Sequence, residues 1–261
     1  MDKQIDLKFI AGQTIQIVKL AEAFIRQESK KFTADKIEVK SLNSLVSYVD
    51  KGAEQILVDG LKKILPQAGF ITEENTANIK AEFQWVIDPL DGTTNFIHKI
   101  PAYCVSVGLI KDGKEILGVV HEITKDECFH AWQNGGAFLN GKPIHVSNTN
   151  LLSESLIATG FPYENFDTLS KYLTTLSNLM QKTRGIRRIG SAALDLAYVA
   201  CGRFDGFYEF NLNAWDVCGG ACIVTEAGGT VTDFKSDKNY LFGREIIATN
   251  SNVHLAIINE I

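Results

Sequence analysis

The sequence lacks the features that mark several specialised classes of protein. Its 261 residues contain only five cysteines, an odd number without framework spacing, which argues against a disulfide-stapled scaffold and indicates reduced thiols. No stretch approaches the roughly 18 consecutive apolar residues that a membrane helix needs. Residues 1–6 are mostly polar, with no apolar signal core behind them. These absences predict a cytoplasmic protein without a membrane partner.

Clusters of basic residues are also scarce. The 26 lysines and arginines are outnumbered by 31 aspartates and glutamates, which gives a formal net charge of −5. Non-specific binding to a phosphate backbone needs clustered lysine and arginine. The nearest approach to a basic patch is Lys30, Lys31 and Lys36, and a solvated helix end explains it. Nucleic acid is therefore an unlikely main partner on charge grounds.

The chain does contain enough apolar material for a sizeable core, since 45% of its residues are hydrophobic. Apolar residues recur at helical spacing across 17–25 and again across 49–64, where Pro66 ends the pattern. Short runs of strand type separated by turns follow from 68 to 143. The sequence thus predicts two helices followed by a β-meander.

Beyond about residue 150 the pattern changes to alternating strands and helices. Such alternation is typical of a layered α/β architecture. We predict a boundary near residues 146–151. It would separate an N-terminal α+β unit over 1–147, carrying a metal- and phosphate-binding motif, from a C-terminal α/β unit over 148–261 that completes the site.

That motif lies where one predicted strand ends. Residues 85–96 read Trp-Val-Ile-Asp-Pro-Leu-Asp-Gly-Thr-Thr-Asn-Phe. If Asp91 is the N-cap of a helix, the amides of residues 92–94 point outward at the positive end of its dipole, where a phosphate binds well. Asp88 and Asp91 would repel that phosphate unless cations lay between them, and oxygen ligands such as these and the Leu90 carbonyl favour Mg²⁺.

Two more acidic residues lie at the ends of predicted elements. Glu73 follows the strand over 69–72, so it can lie beside Asp88 at a neighbouring strand end. Asp216 precedes or opens a helix in the second half of the chain. Each acid alone is more simply a helix cap or a solvated strand end. Together, three acidic element ends favour a metal and phosphate site.

No other arrangement for hydrolysis is apparent. Gly190-Ser191-Ala192-Ala193 is not a Gly-x-Ser-x-Gly nucleophile elbow, and the five histidines are not in metal-ligand spacing. His98 lies near residues 92–94, where the phosphate is expected to bind, and is expected on the surface. The sequence therefore predicts hydrolysis without a covalent phosphoenzyme.

The stretch from Asp88 to Phe96 resembles the signature of the inositol monophosphatase family, within the Mg²⁺-dependent, lithium-sensitive phosphatases. Trp215-Asp216 with Val224-Thr-Glu-Ala-Gly-Gly229 resembles that family's second signature, and Ile71-Thr-Glu-Glu74 its acidic strand end. The resemblance implies an αβαβα sandwich and a homodimer. It also implies hydrolysis of small phosphate monoesters by metal-activated water, with two to three Mg²⁺ ions as cofactors.

The resemblance further implies a role for individual residues. The metal ligands would be Glu73, Asp88, the Leu90 carbonyl, Asp91 and Asp216. The catalytic residues would be Glu73, Thr93 and Asp91, the first two positioning the attacking water. The substrate-binding residues would be Gly92, Thr93, Thr94, Ala192, Glu209 and Asp216.

The chain departs from the family pattern at two positions. Thr72 stands where the family usually has glycine, and Ser44 lies where it usually carries an aspartate. Asp50 matches another acid that the family carries in the same N-terminal segment as Ser44. Asp50 either helps to hold the outermost metal ion or is simply a residue on the surface of a helix.

Thr94-Asn95 favours the inositol phosphatase branch, and Glu209 adds a carboxylate suited to a polyol, although it is otherwise an ordinary strand-end acid. We expect inositol 1-phosphate as the substrate. The alternatives are fructose 1,6-bisphosphate or another sugar or nucleotide phosphate. A hypothesis from a different class is an accessory RNA-binding or transcription-complex protein, for which an intact metal site would be unnecessary.

Overall fold

In the computed structural model the described residues are 5–33, 37–41, 44–161 and 169–261. Lys36 and the side chain of Ser44, both considered above, lie outside the described residues. Within the described ranges, no helix is both long enough and apolar enough to cross a membrane.

The two predicted N-terminal helices are confirmed. Helix α1 (Leu7–Ser29) begins at Asp6, whose carboxylate accepts a hydrogen bond from the Phe9 amide. A short hairpin of β1 (Ile37–Ser41) and β2 (Ser44–Ser47) precedes helix α2 (Tyr48–Ile64). The helices bury their apolar faces against each other and against the sheet that follows.

The predicted meander is part of an eight-stranded sheet with the order β10-β9-β8-β7-β6-β5-β3-β4. All neighbours are antiparallel except β3 and β5. Its strands are β3 (Gly69–Thr72), β4 (Asn78–Ile79), β5 (Phe83–Asp91), β6 (Cys104–Lys111), β7 (Lys114–Glu122), β8 (Glu127–Trp132), β9 (Gly136–Leu139) and β10 (Lys142–Ile144). The short helix α3 (Thr93–Ile97) joins β5 to β6.

The second half of the chain forms a five-stranded mixed sheet with the order β12-β11-β13-β15-β14. Its strands are β11 (Leu156–Thr159), β12 (Gly185–Arg187), β13 (Gly206–Phe210), β14 (Thr230–Thr232) and β15 (Glu245–Thr249). Its helices are α4 (Leu169–Lys182), α5 (Ala192–Ala200), α6 (Ala214–Glu226), α7 (Tyr240–Gly243) and α8 (His254–Ile258), with a 3₁₀ turn at Leu152–Glu154.

The elements stack in five layers. Helices α1 and α2 cover the outer face of the large sheet, and α4 and α8 cover the outer face of the small one. Helices α5 and α6 lie between the two sheets and are apolar nearly all round because both of their faces are buried. The αβαβα sandwich expected from the resemblance is therefore the observed fold.

Glycines allow the middle layer to approach the large sheet closely. A Cβ atom on Gly108 would lie 2.2 Å from Cys218 Sγ, and one on Gly118 would lie 2.2 Å from the carbonyl oxygen of Gly219. Helix α6 therefore rests directly on β6 and β7. Because α6 belongs to residues after 148 and packs on strands before 147, the two halves share one core. Their division at 147/148 stays a prediction.

Candidate active site

Glu73 follows the end of strand β3, and Asp88 lies on the neighbouring strand β5, three residues before its end. Strands β3 and β5 are parallel, with Thr72 paired to Ile87. The chain continues this ladder by one bond, since the Glu73 amide donates to the Ile87 carbonyl at 3.3 Å. Glu73 and Asp88 each follow the last paired residue of this parallel ladder, so the two acids are brought side by side.

Strand β5 continues past Asp88 to Asp91, because a bulge accommodates Pro89 within the strand. Asp88 pairs with Ser106 and Asp91 with Cys104, with a register shift between them. The Asp88 carboxylate folds back and accepts a hydrogen bond from the Leu90 amide at 3.0 Å. The strand thus presents two carboxylates from one bulged segment.

The predicted N-cap of α3 is wrong. Gly92, with a left-handed φ of 91°, precedes the helix, and Asp91 is the last residue of β5. The Asp91 carboxylate does not cap α3, because it accepts hydrogen bonds from Ser191 Oγ at 2.6 Å and the Ala193 amide at 2.7 Å. Asp91 therefore joins the large sheet to the start of α5.

Asn95 makes a second link between these halves. Its side-chain amide donates to the Ala102 carbonyl at 2.7 Å and to the Ile189 carbonyl at 2.9 Å. The turn after β5 is consequently fixed against the segment that leads into α5.

Thr93 contacts an acid from α2. Its hydroxyl lies 3.0 Å from Asp50 Oδ1 and 2.9 Å from the Leu90 carbonyl oxygen, and it can donate to either. The other oxygen of Asp50 accepts from the Ser47 amide at 2.8 Å and from Ser47 Oγ at 2.7 Å, within the capping box of α2. Asp50 is therefore a buried partner of Thr93 rather than a helix-surface residue.

Asp216 enters from the middle layer. It is the third residue of α6, and one of its oxygens accepts a hydrogen bond from the Asn213 amide at 2.5 Å. Burial, followed by the charge of Asp91, raises the pKa of Asp216 to about 7. Arg244 acts in the opposite direction.

The four acids form what we call the cleft cluster: Glu73, Asp88, Asp91 and Asp216. Asp88 is 2% exposed, and its pKa is raised first by burial and then by the charges of the other three. Packing like charges together in this way is unfavourable unless a cation compensates them. The oxygen-only donor set and the need for positive charge both fit Mg²⁺.

The cleft cluster opens into a cleft of about 220 Å³. Most of the residues predicted for the site line this cleft: Glu73, Asp91, Gly92, Thr93, Thr94, Ala192, Glu209 and Asp216. Asp88 and Leu90 are buried beside it, at 2% and 0% exposure. The sequence motifs, far apart in the chain, are thus brought to one place.

Glu209 lines the cleft from strand β13. It is 6% exposed, and burial followed by the charge of Asp216 raises its pKa. A Cβ atom on Gly160 would collide with its carboxylate, so the glycine provides the room that the Glu209 side chain occupies. Arg188 also lines the cleft, and its positive charge opposes this rise in the pKa of Glu209.

Two buried acids near the site were missed by the sequence reasoning. Asp195 lines the cleft from α5, and its pKa is raised by burial and then by Glu209 and Asp91. Glu54, fully buried on α2, accepts hydrogen bonds from the amides of Glu74 at 2.8 Å and Thr76 at 2.9 Å, and so fixes the turn after Glu73. The available signal was an acid on an otherwise apolar helix face.

The fold and the site define a class: a five-layer α/β protein whose acidic cleft lies between the edge of one sheet and the helices of the middle layer. The model of the inositol monophosphatase family matches residues 6–261. The chain belongs to the inositol monophosphatase family.

Several relatives of known sequence or structure cover most of the chain. The Nus factor SuhB of Escherichia coli strain K12 is 41% identical over 230 residues, which is 87% of this chain and 86% of that protein. The crystal structure of extragenic suppressor protein suhB from Bartonella henselae has a TM-score of 0.91 and 37% identity, covering 95% of this chain and 96% of that one. Inositol monophosphatase from Anabaena sp. PCC 7120 has a TM-score of 0.87 and 35% identity, covering 98% and 96%.

Proposed function

We propose that this protein is a Mg²⁺-dependent phosphatase that hydrolyses small phosphate monoesters, with inositol 1-phosphate as its substrate. The observation that carries the proposal is the cleft cluster itself, in which four carboxylates converge beside the Gly-Thr-Thr turn at residues 92–94. Membership of the inositol monophosphatase family supports the same activity.

Two to three Mg²⁺ ions would be held by the cleft cluster together with the Leu90 carbonyl. When bound, the ions supply positive charge that attracts the phosphate group and makes a water molecule more acidic. The residues of the turn, Gly92, Thr93 and Thr94, would bind the phosphate oxygens through their backbone amides and the Thr94 hydroxyl. Gly92 permits this approach because its φ of 91° places the chain in the left-handed region.

The attacking water would be oriented by Thr93 and Glu73. When the Thr93 hydroxyl donates a hydrogen bond to Asp50 Oδ1, 3.0 Å away, the lone pairs of the hydroxyl are free to accept a hydrogen bond from water. Asp50 is itself fixed by the Ser47 amide and hydroxyl. The Asp50–Thr93 pair therefore fixes the direction of the acceptor, and Glu73 would accept a hydrogen bond from the other O–H of the water.

The substrate end of the cleft suits a polyol. Glu209 and Asp216 present carboxylates that accept hydrogen bonds from hydroxyl groups, and Ala192 at the start of α5 leaves room for a ring. The alternative substrates are fructose 1,6-bisphosphate and other sugar or nucleotide phosphates.

Family membership also underlies the proposals that the enzyme is a cytoplasmic homodimer and is sensitive to lithium.

The test is phosphate release from inositol 1-phosphate, fructose 1,6-bisphosphate and 3′-phosphoadenosine 5′-phosphate, each with Mg²⁺ and with EDTA. We expect release from inositol 1-phosphate to be fastest and to be abolished by EDTA. A preference for another of the three would keep the mechanism and change the substrate. Equal rates with Mg²⁺ and EDTA would contradict the proposed metal site.

A second candidate function follows from the relatives named Nus factor SuhB, and it is an accessory role in a transcription complex. The test is retention of purified bacterial RNA polymerase and its elongation factors by the immobilised protein in EDTA, compared with Asp91→Asn. Retention that needs neither metal nor Asp91 would establish this role separately from the phosphatase. Loss of retention in EDTA would argue against it.

A further inference from the structure

A second cluster of metal-ligand side chains lies outside the cleft, where α1 crosses the end of β7. We call it the α1–β7 cluster: Glu22 on α1, His121 on β7 and Asp126 in the turn to β8. His121 Nε2 lies 3.1 Å from Glu22 Oε2 and 3.7 Å from Asp126 Oδ1. One ligand atom from each residue lies within 4.8 Å of the others.

His121 is the residue in this cluster whose bonding is incomplete. Its side chain is fully buried, at 0% exposure. Within the part of the chain that the structure describes, neither of its ring nitrogens makes a well-directed hydrogen bond. A buried imidazole normally satisfies at least one nitrogen, so this ring, with Nε2 facing two carboxylates, calls for a ligand between them.

We propose that Glu22, His121 and Asp126 bind a transition-metal cation, with Zn²⁺ as the representative ion. In a tetrahedral zinc site, nitrogen and oxygen ligands at about 2.0–2.2 Å from the metal are roughly 3.3 Å from one another. The two observed separations, 3.1 and 3.7 Å, lie on either side of that value. An imidazole with two carboxylates favours zinc-type ions, whereas Mg²⁺ prefers oxygen ligands alone.

The surroundings of Glu22 hold it in the required orientation. Arg26 Nε binds the other carboxylate oxygen, Glu22 Oε1, at 2.5 Å, and a second guanidinium nitrogen donates to the Ile123 carbonyl. Arg26 therefore ties the Glu22 carboxylate to the end of β7 and leaves Oε2 directed at His121. Support of this kind from a neighbouring residue is a usual part of metal sites.

Charge and access are also compatible with a bound cation. Burial lowers the pKa of His121 despite the opposing charges of Glu22 and Asp126, which favours the neutral ring that coordinates metals. Lys19 is the unfavourable neighbour, because its positive charge, which also lowers that pKa, repels a cation. The Asp126 side chain is 72% exposed, so a cation can enter from solvent on that side. Bound there, it would join α1 to β7 and to the following turn.

Histidine nitrogen resonances test the site directly, because the cleft cluster contains no histidine. Zn²⁺ is titrated into the metal-stripped full-length protein labelled with ¹⁵N-histidine, in the presence of excess Mg²⁺. We expect the His121 Nε2 resonance, assigned from its loss in His121→Asn, to move with one equivalent of Zn²⁺. If Zn²⁺ binds while the His121 resonances stay in place, the proposal is wrong.

Asp126→Asn provides the variant, since its side chain is exposed and its loss should not unfold the protein. The matched control is Asp112→Asn, which changes another turn aspartate with a positive φ, 50° against 55° for Asp126. In competition with a chromophoric zinc chelator, we expect Asp126→Asn to weaken this Zn²⁺ affinity about tenfold or more and Asp112→Asn to leave it unchanged. Equal Zn²⁺ affinity in both variants would overturn the proposal.

Discussion

The two clusters of acidic side chains differ in composition, in exposure and in how the chain builds them. The cleft cluster contains only carboxylates, and its members lie at strand ends, at the bulge within β5 or in the first turn of a helix. The α1–β7 cluster adds an imidazole and draws its members from a helix, a strand and a turn. Oxygen alone suits Mg²⁺, while nitrogen with oxygen suits zinc-type ions. In the two proposals, carboxylates thus contribute to two kinds of cation site.

Exposure sets how strongly each cluster should respond to change. Asp88 is 2% exposed and is surrounded by other acids, whereas the Asp126 side chain is 72% exposed. A buried charge interacts strongly because the local dielectric is low. Changes in the cleft cluster should therefore have large effects on activity, and Asp126→Asn, at the exposed member of the α1–β7 cluster, should leave activity unaltered.

The largest effect is expected from Asp91→Asn. This change removes a charge that faces the proposed metal ions, and phosphate release from inositol 1-phosphate should fall at least about a hundredfold. Circular dichroism should show an intact fold, because Asn keeps one oxygen for the Ser191 and Ala193 donors. Asp126→Asn is the comparison variant, with its activity expected to match the wild type. Near-native turnover by Asp91→Asn would mean that the metal assignment is wrong.

Thr93 tests the contact with Asp50. Thr93→Val keeps the shape of the side chain but removes the hydroxyl that orients water, so kcat should fall by about a hundredfold with little change in KM. Thr93→Ser keeps the hydroxyl and should retain most of the activity. If the two variants lost activity equally, the Thr93 methyl group rather than its hydroxyl would be the important part.

Glu54 tests whether the turn after Glu73 must be fixed for metal binding. In Glu54→Gln an NH₂ group replaces one of the oxygens that accept from the Glu74 and Thr76 amides. The Mg²⁺ concentration for half-maximal activity should rise about tenfold, with kcat restored at saturating Mg²⁺. Asp59→Asn, an exposed change on the same helix, is the control. An unchanged Mg²⁺ requirement in Glu54→Gln would show that the turn does not depend on Glu54.

The smallest effect concerns His254, a buried histidine that, unlike His121, has a partner for each ring nitrogen. Thr232 Oγ1 and Thr249 Oγ1 each lie 3.0 Å from its ring. Burial lowers its pKa below the ordinary 6.5, so the unfolded chain takes up the proton first. Stability should therefore fall as the pH drops below about 6.5, down to the lowered pKa of the folded state.

Urea unfolding at several pH values between 5 and 7.5 measures this contribution. The free energy of unfolding of His254→Asn should be lower overall than that of the wild type. It should also change less with pH over this range. An identical pH slope in both proteins would indicate that His254 does not contribute.

The local pattern was sufficient to predict most elements of the fold. Helical spacing predicted α1 and α2, and the strand-type runs predicted from residue 68 onward include β3 and β5. Periodicity succeeds here because each of these elements buries one face or lies wholly inside. The parallel pairing of β3 with β5 needed more than periodicity, and the expectation that Glu73 and Asp88 lie side by side supplied it.

Other features depend on contacts between distant parts of the chain. The N-cap of α3 was predicted wrongly because the Asp91 carboxylate bonds to Ser191, one hundred residues away in the sequence. The Asp50–Thr93 contact spans 43 positions, and the α1–β7 cluster joins residue 22 to residue 121. No local spacing encodes such pairs, because they are made by the packing of layers.

The most direct test of the central claim is a Mg²⁺ titration of the metal-stripped wild-type protein, followed by phosphate release from inositol 1-phosphate. If the cleft cluster is the metal site of a phosphatase, release should be absent without Mg²⁺, should rise with its concentration and should be lost in Asp91→Asn. Phosphate release that is independent of Mg²⁺, or unchanged in Asp91→Asn, would contradict the account.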